Sequence, residues 1–151
     1  MWLVNVQDIM CTKLISLSMH AKISEIIKLV EQCDSGKVTH NAFPVVDCSK
    51  TNARLHGIVT LEHIRKVAED AKALSAIMSH SQIQVVHILE YSDRSPITIY
   101  PNTKVARAFE LFRKLGMRHL CVVDNQGILV GIVTRKDLMT FSLGDNIRRC
   151  V

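Results

Sequence analysis

The sequence predicts an α/β chain of the α+β kind, built as two β-α-β-β-α repeats packed in a pseudo-twofold pair. Three observations carry that prediction. Leu55-His56-Gly57-Ile58-Val59-Thr60 returns as Leu129-Val130-Gly131-Ile132-Val133-Thr134. Phe43-Pro44-Val45-Val46-Asp47 returns as Leu120-Cys121-Val122-Val123-Asp124. Upstream, Lys22-Ile23-Ser24-Glu25-Ile26-Ile27 aligns with Lys104-Val105-Ala106-Arg107-Ala108-Phe109. Blocks that recur in the same order at similar spacing are the signature of a repeated structural unit. The division is repeat one over residues 1–64, a helical connector over 65–85 and repeat two over 86–151.

Each element follows from its own pattern. A short strand opens each repeat, at 14–18 and 97–100. Ile23, Ile26, Ile27 and Val30 recur at i, i+3, i+4 and i+7, as do Val105, Ala108, Phe109 and Phe112, which predicts an amphipathic helix with one apolar stripe in each repeat. Asp34-Ser35-Gly36 closes the first helix and Gly116 the second, where a residue able to take positive φ is needed. Two β-branched strands follow in each repeat, 43–47 with 55–59 and 119–124 with 128–133. Asp124-Asn125-Gln126-Gly127 joins the later pair as a hairpin, and a longer loop from Cys48 to Asn52 joins the earlier one. A closing helix starts after Thr60 and again after Thr134. A unit of about 60 residues buries little surface alone, so two gain by packing together, with two related clefts between them.

Composition narrows the function. Of 151 residues 48% are hydrophobic and 22% charged, with 6 Gly and 3 Pro, which excludes disorder and collagen. No apolar run approaches the roughly 18 residues of a membrane span and no signal peptide opens the chain. The expectation is a soluble domain, or a piece of something larger. The net charge of +5 favours anionic partners in general. Nucleic acid is not among them, because the cations are scattered and only 5% of residues are aromatic. Five cysteines without CxxC or Cys/His spacing argue against zinc, so no metal is expected, and point to a reducing compartment. No GxSxG, HExxH, P-loop or GxGxxG element is present, and the chain is not expected to be an enzyme.

One four-residue element carries chemistry on its own. Thr134-Arg135-Lys136-Asp137 fits a capping box, with a Thr at the helix N-cap and a carboxylate three residues on. The same carboxylate, being acceptor-only when ionised, also suits the two hydroxyls of a ribose. Both readings stand at this point. The corresponding element of repeat one is Thr60-Leu61-Glu62-His63, which has His63 in place of the carboxylate.

The repeated blocks, with Phe43-Pro44-Val45-Val46-Asp47 and Thr134-Arg135-Lys136-Asp137, resemble a tandem pair of CBS (cystathionine-β-synthase) domains over nearly the whole chain. Met117-Arg118-His119-Leu120-Cys121-Val122-Val123-Asp124 with Gly131 to Leu138, preceded by Ser95-Pro96-Ile97-Thr98-Ile99, is most similar to the second CBS domain of eukaryotic CLC chloride channels and chloride/proton antiporters, above all the endosomal and lysosomal kind. That resemblance implies a cytoplasmic regulatory domain attached to a transmembrane transport domain of the same chain, dimeric, binding adenine nucleotide. ATP is favoured, with ADP and AMP as further regulatory ligands, and no cofactor is required.

The resemblance also implies site residues. Asp137 would hold the ribose, with Thr134, Arg135 and Lys136 toward the phosphates. His40, where the family can have a stacking Tyr, would lie on the base, with Ser16 and Asn41 at the adenine edge and Phe43 and Pro44 on the apolar side. Without it, His40 and Asn41 read as a solvated loop, Pro44 as a strand opener, and Arg135 and Lys136 as solvated cations. A free-standing adenylate-sensing protein that regulates a soluble enzyme, and a purely structural dimerisation domain, are the alternatives.

Overall fold

The computed structural model describes residues 3–47, 53–77 and 85–142. The loop expected at Cys48–Asn52 and the last part of the connector lie outside them. The chain is mixed α+β and forms two compact units that interleave in sequence. One, the first-repeat unit, takes the described parts of 15–48 and 56–95; the other, the second-repeat unit, takes those of 1–14, 49–55 and 96–150. Among the described residues no helix is long and apolar enough to cross a membrane.

In the first-repeat unit β1 (Leu17–Ser18), β3 (Ala42–Val46) and β4 (Leu55–Thr60) form a sheet in the order β1-β3-β4. β1 runs parallel to β3 in the register Leu17↔Val45 and Ser18↔Val46. All five residues of β3 are buried, so this central strand reads as a continuous apolar run and not as an alternation. α1 (Ile23–Asp34) buries Ile26 and Leu29. The Ser35 amide donates to the Glu31 carbonyl at 2.9 Å and Gly36, at φ 80°, ends the helix as its position in the sequence predicts. α2 (Leu61–Ile77) begins directly after Thr60 and packs on α1. β2 (His20–Lys22) pairs antiparallel with β5 (Val85–His87), a ribbon the sequence did not reveal. Phe43, Ile26, Val45, Val59, Ile64 and Ile88 are wholly buried at the centre, each contributing about 1.5–3 kcal/mol of transfer free energy.

In the second-repeat unit β6 (Thr98–Ile99) is parallel to β7 (His119–Val123), which is antiparallel to β8 (Leu129–Thr134). The hairpin turn is the one the sequence predicts. Asp124 Oδ1 accepts from the Gln126 and Ile128 amides at 2.9 and 3.0 Å, and Gly127 takes φ 80°. α3 (Val105–Leu115) ends on Gly116 at φ 61°. Its buried stripe is Val105, Ala108 and Phe112, while Phe109 is 43% exposed. The i+4 member of the predicted stripe thus lies at its margin. α4 (Arg135–Ser142) closes the unit.

The units match in a further respect. The 3₁₀ turn Val6–Asp8 belongs to the second-repeat unit, and the turn Ile88–Tyr91 to the first-repeat unit. Each leading segment pairs with the strand that carries the repeated glycine. Cys11 exchanges amide and carbonyl bonds of 2.9 and 3.0 Å with Ile132, and Asp93 exchanges 2.9 and 3.0 Å bonds with Ile58. A Cβ on Gly131 would collide with the Met10 thioether, and one on Gly57 would meet the Asp93 carbonyl oxygen at 2.8 Å. The glycine of Leu-x-Gly-Ile-Val-Thr is therefore an approach surface for another backbone.

Candidate functional site

The residues expected at a site fall into two groups, one in each unit. In the second-repeat unit they cluster where β8 becomes α4. The Thr134 amide and hydroxyl both donate to Asp137 Oδ2, at 2.8 and 3.0 Å. The Asp137 amide lies 3.4 Å from Thr134 Oγ1 and completes the reciprocal pair. The capping box is therefore formed. It holds a half-buried carboxylate in one orientation at a helix N-terminus, where the helix dipole favours negative charge. Thr134 supplies two of the donors that this carboxylate accepts.

Arg135 and Lys136 are both exposed on the first turn of α4. Arg135 is not merely solvated, since its Nε donates to the Met117 carbonyl at 2.9 Å and ties the helix start to the segment before β7. The bond spans eighteen positions, and no sequence pattern announces it. Met117 occupies in repeat two the place that His40 holds in repeat one.

In the first-repeat unit the parallel pairing of β1 with β3 brings the second group to one end of the sheet. Ser16 and Pro44 each sit one residue before the Leu17↔Val45 pair. Ser16 is exposed, Pro44 is buried, and His40 (half-buried) and Asn41 (exposed) continue the chain just before β3. The Asn41 carbonyl accepts from the Leu61 amide at 2.8 Å, fixing this segment to the start of α2. Phe43 lies apart from these. It is fully buried in the hydrophobic core of the unit, among Ile26, Val45 and Ile64.

The start of α2 repeats the geometry of α4 with different chemistry. Thr60 Oγ1 lies 3.1 Å from His63 Nδ1, and the His63 amide lies 3.4 Å from Thr60 Oγ1. Elsewhere in the same unit an apolar cavity of about 290 Å³ is lined by Ile23, Ile27, Val67, Leu74, Val85 and Tyr91 among others, and none of the expected site residues borders it. The two free cysteines among the described residues are poor nucleophiles. Burial pushes the Cys121 thiol up to about 12, and burial also raises Cys33, against the opposing charge of Arg65. Among the described residues no three His, Cys, Asp or Glu groups gather to hold a metal.

The chain is similar to known proteins over most of its length. A family model described as CBS domain matches residues 6–70 and 88–144. The chain is 32% identical to H(+)/Cl(-) exchange transporter 7 of Homo sapiens, over 91% of this chain and 21% of that protein. It is 27% identical to chloride channel protein CLC-a of Arabidopsis thaliana, over 81% of this chain and 20% of that protein. The chain thus spans about a fifth of the length of the curated relatives it matches. Among solved structures, CBSX2 in complex with AMP aligns with a TM-score of 0.65 at 25% identity, covering 93% of this chain and 96% of that one. The CBS domain pair of protein MJ0100, in complex with 5′-methylthioadenosine and S-adenosyl-L-methionine, aligns with a TM-score of 0.65 at 27% identity, covering 94% and 98%.

Proposed function

From a chain that belongs to the CBS domain family and carries two such domains in tandem, we propose a regulatory module that binds one adenine nucleotide and modulates a CLC-type chloride transporter. The observation that carries this reading is the Asp137 carboxylate, held by two Thr134 donors at 2.8 and 3.0 Å at the start of α4. A preoriented anionic acceptor is what a ribose diol requires, and holding it in place beforehand lowers the ordering cost of binding. Arg135 and Lys136, exposed on the same turn, supply positive charge for phosphates, and the helix N-terminus adds its dipole.

The resemblance gives the adenine contacts to residues of the first-repeat unit. His40 stacks on the base, the exposed Ser16 and Asn41 meet its polar edge, and Pro44 closes the apolar side. Phe43 acts behind them, as the core residue that fixes the strand. An imidazole offers less stacking area than a phenol ring, so the base is held more weakly than by a Tyr at position 40. Solved relatives of similar extent are complexes with AMP, and with 5′-methylthioadenosine and S-adenosyl-L-methionine, ligands that share an adenosine moiety. ATP is the favoured ligand here because two cations precede Asp137 on the same turn.

The similarity to an H(+)/Cl(-) exchange transporter and to a chloride channel protein supports the assignment to a membrane partner; the cytoplasmic side and the dimeric state rest on the resemblance of the sequence to CLC proteins. Ligand binding shifts transport only insofar as the two transport states bind nucleotide with different affinity. Titration calorimetry with ATP, ADP and AMP tests the site. Asp137→Asn retains a capping oxygen but removes the charge, and it is expected to weaken ATP about tenfold or more, the loss of one charge-assisted contact. Unchanged ATP affinity in that variant overturns the assignment, and no heat with any of the three nucleotides leaves the structural dimerisation role.

A further inference from the structure

β2 and β5 form a ribbon of three antiparallel pairs, His20↔His87, Ala21↔Val86 and Lys22↔Val85. The Ile88 amide donates to the Met19 carbonyl at 2.9 Å, one step outside the first pair. In an antiparallel ladder that bond makes the adjacent pair, His20 with His87, a narrow non-hydrogen-bonded one. There the Cα atoms approach to about 4.5 Å and directly opposed side chains stand closest. Both histidines are exposed, and their ring centroids lie 4.1 Å apart with an interplanar angle of 72°.

We propose that His20 and His87 together chelate a first-row divalent transition cation of the zinc, copper or nickel class, for which imidazole is a preferred ligand. Imidazole nitrogens bind such an ion at about 2.0–2.1 Å, so two of them bound side by side to one ion stand about 3 Å apart. Rings whose centroids are 4.1 Å apart reach that separation by side-chain rotation alone, with the backbone register doing the positioning. Among the described residues no third His, Cys, Asp or Glu completes the set, so water fills the remaining positions. Lys22 shares this face two residues along, and its charge opposes the cation and keeps the site modest in affinity.

The consequence is a clip. The ion joins His87, at the far end of the link between the repeats, to β2 beside α1, and binding to the folded ribbon alone raises stability by mass action. This site shares no residue with the nucleotide reading and stands or falls without it.

Zn²⁺ added to the whole chain at neutral pH tests it, followed by calorimetry and by imidazole ¹H–¹⁵N NMR. The expected result is one equivalent bound, with the His20 and His87 ring nitrogens shifting together and Tm rising. His20→Gln and His87→Gln, both on exposed positions, each abolish the chelate and are expected to weaken binding about tenfold or more and to remove the rise in Tm. The proposal is overturned if the two rings do not shift together, or if either variant binds Zn²⁺ as tightly as the parent.

Discussion

The starts of α2 and α4 are the same structure built around different chemistry. In both, a Thr ends a strand and the third residue of the helix returns a hydrogen bond to it. His63 and Asp137 each set their amide 3.4 Å from the Thr hydroxyl, and each also brings a side-chain atom to that hydroxyl, at 3.1 and 3.0 Å. The difference lies in the chemistry of the third residue. His63 meets the Thr60 hydroxyl with an imidazole nitrogen and brings no carboxylate to the start of α2. Asp137 presents a charged acceptor, and its α4 neighbours are two cations, whereas the neighbours of His63 are Leu61 and Glu62. Capping is a local backbone requirement that either side chain meets, while the recognition of a diol is not. The comparison therefore predicts one competent half-site, in the second-repeat unit.

The largest test of how closely the units match concerns their shared glycines. Gly57→Ala puts a methyl group 2.8 Å from a backbone oxygen that is itself held by the Ile58–Asp93 pair, and nothing there yields. Gly131→Ala meets chiefly the Met10 side chain, which can turn aside. Urea denaturation is expected to show a loss of about 3 kcal/mol for the first and about 1 kcal/mol for the second. Equal losses would mean that the two approach surfaces are equivalent after all.

A change of chemistry at fixed geometry comes next. His63→Asp installs the missing acceptor at the start of α2, beside the same Thr. Calorimetry is expected to find a second, weaker equivalent of nucleotide, about tenfold below the first, because Leu61 and Glu62 precede position 63 where Arg135 and Lys136 precede Asp137. A stoichiometry that stays at one shows that the third helical residue alone does not decide the half-site.

The smallest effect concerns the caps themselves. Thr60→Ala and Thr134→Ala each remove an N-cap hydroxyl and are expected to cost about 1 kcal/mol of stability. Thr134→Ala should be the costlier by a few tenths, since its hydroxyl orients a charged group. If thermal melts show Thr60→Ala to be the more damaging, the likeness between the two caps is only one of sequence.

Much of this was legible in the residues, and the rest was not, for a physical reason. Helix α1, the turn from Asp124 to Gly127, the αL residue at Gly116 and the strand pairs around the repeated blocks all depend on neighbours a few positions away. So does the capping box at Thr134. Phe109 shows the first limit. Periodicity places it next to the stripe, but whether the stripe's edge is covered depends on what packs over it, and 43% of Phe109 stays exposed. Phe43 shows the second, because a residue inside a recognised motif proved to be core.

The sequence by itself determined the repeat, the α+β class, the turn residues and the asymmetry between Asp137 and His63, since each is written in residue types at short spacing. Only the tertiary structure decided that residues 6–11 fold with the second-repeat unit and 88–93 with the first, that β2 pairs with β5, and that Arg135 reaches Met117. Those outcomes are contacts between segments far apart in the chain. Their free energy comes from buried surface and shared hydrogen bonds that exist only once both partners are in place, so no local pattern records them.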